Sequence, residues 1–189
     1  MTSVSFTRMD QTTAADRLII GPRLEAYRRE TQAQLPLTVL EMLRQQRGET
    51  FGYQIDRLDH SLQTATRAVR EGADEELVAV ALLHDIGDGM GLFNHSEFAT
   101  AILRPFISPR NAWVVEHHGL FQGYYYYEYI GKDRAEREKY RGHEHFQACL
   151  DFCDRWDQVS FDPAYDTMKL EEFVPIVHRL FARAPRSLD

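Results

Sequence analysis

The stretch Leu82-Leu83-His84-Asp85-Ile86-Gly87-Asp88 decides how this chain is read. Leading into it, Leu77, Val80, Ala81 and His84 recur at helical spacing. His84 therefore continues an apolar stripe, and its imidazole is expected to face the interior. Asp85 stands at the edge of the same face. A carboxylate drawn out of water is costly unless it is paired or coordinates a metal ion. Gly87 and Gly89 then break the helix and give the backbone room. Taken alone, a His-Asp pair at a helix end needs no more explanation than a solvated aspartate.

The pair is not alone. Upstream, His60 lies on a helix whose apolar stripe is Leu58, Leu62, Ala65 and Val69. Downstream, His95 follows beside the capping-type residues Asn94 and Ser96. Ser108-Pro109 reads as an N-cap with proline in the first turn. It opens a helix carrying Trp113, Val114 and Val115, which delivers His117 and His118 and is expected to end at Gly119. A later helix presents Phe146, Cys149, Leu150, Cys153 and Asp157 on one face, with Asp154 as a competitor for Asp157. A last helix, around Leu170 to Phe181, contains Pro175 and either kinks or starts there. His143, His145 and His178 are assigned to surface or core. No stretch alternates with period two, so the fold class is all-α, a helical bundle. Six candidate ligands, in this order on successive inward-facing helices, form a set of imidazoles and carboxylates. Such a set suits zinc, iron or manganese rather than calcium. A single aspartate among them can bridge two ions with its two oxygens.

Composition sets the outer limits. A chain of 189 residues fits one domain, read as a flexible segment over 1–15 and a single domain over 16–189. No apolar run approaches the roughly 20 residues that span a bilayer, and no secretory signal is recognised, so a cytoplasmic protein without a membrane partner is expected. Two cysteines, Cys149 and Cys153, make no disulfide framework. A net charge of −7 argues against a nucleic-acid partner. The oligomeric state is not readable.

The order His60, His84-Asp85, His95, His117 or His118, then Asp157 resembles the HD-domain superfamily, in particular its dinuclear branch. The resemblance runs from about Thr50 to Asp162 and is carried above all by LLHDIGD. It implies a dinuclear site between helices with His84 and Asp85 at the catalytic centre. His60, His84 and Asp157 would hold one ion, His95 with His117 or His118 the other, and Asp85 would bridge them. Val115-Glu116-His117-His118 aligns with oxygenase relatives so that His118 is the ligand, while in dinuclear phosphodiesterases both histidines can serve.

Most of the superfamily are phosphohydrolases, and a metal-dependent hydrolase of a nucleotide or phosphomonoester is one reading. Three features point elsewhere. The extra histidines imply two ions; His118-Gly119 lacks the signature of the cyclic-dinucleotide phosphodiesterases; and the region from Gly52 to Ala68 is similar to the phosphonate-cleaving di-iron oxygenases. Those enzymes and myo-inositol oxygenase use a mixed-valent pair of iron ions (Fe2+/Fe3+) and dioxygen as co-substrate. The leading expectation is such an oxygenase, cleaving the C–P bond of a small-molecule organophosphonate, a 1-hydroxyphosphonate. A non-catalytic HD module that binds a small ligand is the third reading.

The amine-phosphonate members carry a tyrosine and a glutamate where this chain has Thr50 and Tyr53, which argues against a primary amine. The tyrosine run from Tyr124 to Tyr129 suits a quaternary ammonium through cation–π attraction. The substrate expected on that basis is 1-hydroxy-2-(trimethylamino)ethylphosphonate, giving glycine betaine and phosphate. Tyr125 and Tyr127 are the expected cage residues and Tyr53 a further expected substrate contact, with Arg141, Arg155 and Lys132 as candidates for the phosphonate oxygens.

Overall fold

The computed structural model describes Val4 and residues 6–91 and 93–187. Met1–Ser3 and Ser5, part of the expected flexible segment, lie outside the described residues. Among the described residues there is no strand, and the fold is all-α. The helices are α1 (Ala14–Gln45), α2 (Arg57–Arg70), α3 (Glu75–Leu83), α4 (His95–Leu103), α5 (Pro109–Gln122), α6 (Phe146–Phe152) and α7 (Leu170–Phe181). Among the described residues no helix is long and apolar enough to cross a membrane.

The bundle is organised around α3. Asp74 caps it, accepting from the Leu77 amide, and Val78 to Leu83 are all buried. A one-sided stripe was expected; a helix apolar all round is what a central helix requires. It lies against α2, α5 and α7, and α4 packs on α5, which in turn meets α6. α2 is buried all round from His60 to Thr66, and its charged residues lie toward its two ends. Leu58, Leu62, Ala65 and Ala68 are buried, while the expected Val69 is turned toward solvent. Asp56 caps α2 by accepting from the Asp59 amide.

Long α1 begins with a reciprocal capping box between Thr13 and Asp16. It meets the core through its last turns, where Pro36, Val39, Leu40 and Leu43 are buried. Its C-cap residue, Gln46, donates from Nε2 to the Asp85 carbonyl at 2.5 Å, tying the end of α1 to the turn after α3. In α7, Pro175 sits inside a continuous helix with Phe173, Val177, Leu180 and Phe181 buried.

Ser108 caps α5 as expected, accepting from the Asn111 amide. The helix, however, runs through Gly119 to Gln122. Gly119 serves as a point of close approach rather than a stop. A Cβ there would meet Ser96 Oγ at 3.1 Å and the His95 ring at 3.5 Å. Gly87 does the same for the backbone of His95, whose carbonyl oxygen would stand 2.4 Å from an added Cβ. Two glycines on two segments thus make the space into which the first turn of α4 is pressed.

Gly87→Ala must displace that backbone, and overpacking of this kind costs about 1–3 kcal/mol. Gly89 has open space around it. Chemical denaturation of the two alanine variants should show that loss for Gly87→Ala and near-neutrality for Gly89→Ala.

Candidate metal centre

The end of α3, the first turn of α2, the start of α4, the last turns of α5 and the segment after α6 converge on one buried cluster. It contains three overlapping groups with ligand atoms close enough to share an ion: His60, His84 and Asp157; His84, Asp85 and His118; and Asp85, Asp88 and His95. The Asp85 carboxylate lies at the centre. Its Oδ2 is 3.6 Å from His60 Nε2 and 3.5 Å from His84 Nε2. Its Oδ1 is 2.9 Å from His118 Nε2 and 3.4 Å from His95 Nε2. Each oxygen therefore faces its own pair of imidazoles. Asp157 Oδ1 adds to the first pair, 3.2 Å from His60 Nε2 and 3.7 Å from His84 Nε2.

Main-chain carbonyls set the direction of three rings. His60 Nδ1 donates to the Ser160 carbonyl at 2.9 Å, His84 Nδ1 to Ala81 at 2.8 Å, and His118 Nδ1 to Val115 at 2.7 Å. In the neutral ring this fixes the proton on Nδ1 and leaves the Nε2 lone pair toward the cluster, the arrangement of metal-binding histidines. His60 Nε2, His84 Nε2 and Asp157 Oδ2 are buried and make no hydrogen bond. Orphaned polar atoms at the centre of a core call for a partner, and a cation fits this donor set. The residues present are therefore suited to two transition-metal ions, one beside His60, His84 and Asp157, the other beside His95 and His118, with Asp85 between.

Asp157 reaches the cluster because the chain after α6 widens. Cys153–Asp157 forms a π turn, closed by the Gln158 amide on the Cys153 carbonyl at 3.0 Å. Such turns are frequent at functional sites. Trp156 and Asp157 are both buried as a result, and Gln122 Nε2 donates to Asp157 Oδ1 at 2.9 Å. Asp154 lies outside, accepting from the Tyr125 hydroxyl.

His117, expected as an alternative ligand, stands apart. Its ring stacks on Trp113 with centroids 4.2 Å apart, and its Nδ1 donates to the Trp113 carbonyl. Adjacent residues on a helix diverge by about 100°, so only one of the two histidines can face the centre. Trp113 carries His143 on its other face, so that both belong to a separate aromatic stack.

A cavity of about 260 Å³ opens on the cluster, lined by Asp85, His95, His118 and Asp157 and walled by Tyr53, Tyr126 and Phe161, with Tyr125 alongside. Tyr53 stacks on Phe161, which stacks on His60. The other expected substrate residues lie elsewhere. The Tyr127 ring occupies the space over Gly123, under the Lys132 ammonium. Arg141 pairs with Glu138, and Arg155 pairs with Glu71 on the far side of Trp156. Tyr126, Phe161, Gln122 and Gln158 line the cavity without having been foreseen, and two charged residues also escaped the sequence reading. Asp88 approaches His95 Nδ1 at 3.5 Å, and Arg57 pairs with Asp88 at 2.9 Å. Helical arithmetic could have found Arg57, three residues before His60 on the same helix.

The charges are mutually tuned. Burial alone would push His60 and His84 down, yet the carboxylates of Asp157 and Asp85 carry both imidazoles above their ordinary range. Burial would raise Asp85 and Asp157, and the surrounding histidines hold both carboxyls below theirs. His95, with burial dominant, is pushed down, and Asp88 is pushed up by burial and by the Asp85 charge.

The sequence model of the HD domain matches residues 57–158, from the first residue of α2 to the residue after the π turn. This is more than half of the chain, and the chain belongs to the HD domain family, whose members are in general metal-dependent enzymes. No curated protein matches it.

Two outcomes follow from this geometry. Elemental analysis of metal-loaded protein should show about half the metal lost in His118→Ala and none lost in His117→Ala. The second concerns metal-free protein. The raised histidines stabilise the fold below their unfolded pKa near 6.5, and that contribution is lost as pH climbs through the folded values. The lowered aspartates stabilise it above about pH 4, and theirs is lost as pH falls through the folded values. The cluster's contribution should therefore peak between about pH 4 and 6.5. A thermal-melt profile of metal-free protein that narrows its advantage over Asp157→Asn on both sides of that window would confirm it.

Proposed function

We propose that this protein is a dinuclear HD-family oxygenase that acts on a small hydroxylated organophosphonate. The observation that carries the reading is the Asp85 carboxylate, with one oxygen toward each of two histidine pairs beside a small cavity. Four imidazoles with two central carboxylates make a donor set that admits iron, as it does zinc or manganese. When bound, a pair of iron ions supplies the redox chemistry with dioxygen that no side chain can supply. The residues of the chain provide the rest. Main-chain carbonyls orient His60, His84 and His118, Gln122 fixes Asp157, and the aromatic wall of Tyr53, Tyr126 and Phe161 limits the water that reaches the cluster.

Size supports a small substrate. A cavity of about 260 Å³ lies just below the roughly 300–1,000 Å³ of ordinary ligand pockets. The aromatic wall also supports an apolar or quaternary-ammonium end for the substrate, with Tyr126 and Phe161 in the place foreseen for Tyr127.

Protein produced with iron should contain about two irons per chain and give a mixed-valent EPR signal on partial reduction. That signal should change on adding 1-hydroxy-2-(trimethylamino)ethylphosphonate, with oxygen consumed and phosphate released. Oxygen-independent hydrolysis of a phosphomonoester with manganese, and no such signal with iron, would replace this reading with that of a phosphohydrolase.

A further inference from the structure

Arg57 and His60 leave α2 one turn apart on the same face, which brings a guanidinium beside the histidine–aspartate cluster. The side chain is only 25% exposed. It lines the cavity over the cluster and also a second cavity of about 330 Å³, bordered by Gln46, Phe51 and Gly89. Arg57, Asp88 and His95 are common to both, so they form part of the wall between them. Among the residues lining the inner cavity, Arg57 is the one permanent cation.

Its contacts are weak for so buried a group. Asp88 Oδ2 lies 2.9 Å from Nε, yet Nε makes no hydrogen bond among the described residues, because the approach is oblique. Tyr53 offers its ring face, with the centroid 5.3 Å away. A guanidinium presents a planar fork that matches two oxygens of one carboxylate, phosphate or phosphonate group. Asp88 does not use that fork.

We propose that Arg57 is the receptor for an oxyanion head group of the substrate, and that Asp88 holds the guanidinium in place until that anion displaces it. This rests on reading the histidine–aspartate cluster as the catalytic centre, and it names the substrate class as a small molecule bearing a phosphonate, phosphate or carboxylate. An oxyanion gains the two parallel hydrogen bonds that Asp88 fails to make, so exchange of partners is favoured. The anion then lies next to His95, whose Nδ1 faces the same Asp88 carboxylate, and the remainder of the molecule must fit within the inner cavity.

The test is calorimetric titration of zinc-loaded protein with methylphosphonate and, separately, with acetate. Zinc is redox-inert, so the result is independent of whether the enzyme proves to be an oxygenase. Wild type, Arg57→Gln, Arg57→Lys and Asp88→Asn are compared after zinc content and thermal melts show that each is folded and loaded. The expected result is binding of at least one anion by wild type, weakened about tenfold or more in Arg57→Gln, as befits loss of a charged hydrogen-bonding partner. Arg57→Lys should recover part of it, and Asp88→Asn should bind several-fold tighter than wild type. The tighter of the two anions identifies the head group. No binding to wild type, an Arg57→Gln affinity within twofold of wild type, or an Asp88→Asn variant that weakens binding would each overturn the proposal.

Discussion

A carboxylate at the dry centre of a helical bundle must be compensated, and Asp85 is where this protein meets that requirement. Breaking a buried charge pair costs about 3–5 kcal/mol, against a total stability of about 5–15 kcal/mol for a typical domain. Four imidazoles surround the group, drawn from α2, from the end of α3, from α4 and from α5. The helices are thus held in register by one shared anion as well as by apolar packing. The central position of α3 follows from the same need, since it has to bring His84 and Asp85 to the place where the others meet. The Gln46 bond to the Asp85 carbonyl secures that turn from the side of α1.

Direction matters as much as proximity. Two of the accepting carbonyls belong to the histidine's own helix, three residues back: Ala81 for His84 and Val115 for His118. Those rings are therefore oriented by the helices that carry them. His60 is different, because its acceptor is Ser160, beyond the π turn, so its orientation depends on the chain segment that also delivers Asp157. Phe161 covers the His60 ring from the same segment. One short stretch therefore controls both members of a ligand pair.

Much of this was legible in the sequence. His60, His84, Asp85, His95, His118 and Asp157 stand out because imidazoles and carboxylates on apolar helix faces are expensive without a partner, and LLHDIGD marks the centre. The choice between His117 and His118 was not legible, because the phase of α5 depends on packing against α4 through Gly119, a residue that reads as a helix stop. Tyr127 and the two arginines misled for a related reason. Composition says that aromatic and cationic groups are present, while the turns after α5 and the surface pairs with Glu71 and Glu138 decide where they point. Arg57 was hidden by the opposite error, an arginine at a helix start that looks solvated until its turn of helix is counted against His60.

The π turn at Cys153–Asp157 has a meaning for how such a chain changes over time. It amounts to one residue of slack in an otherwise ordinary helix. Losing that residue would restore regular α-helical hydrogen bonding, which a helix tolerates well, and would remove the widened turn that carries Asp157 to His60 and His84. A single in-frame deletion of three nucleotides would then leave the bundle standing and the cluster one ligand short. The route from enzyme to non-catalytic binding module is accordingly short here, and the length of this segment is the feature to compare among related chains.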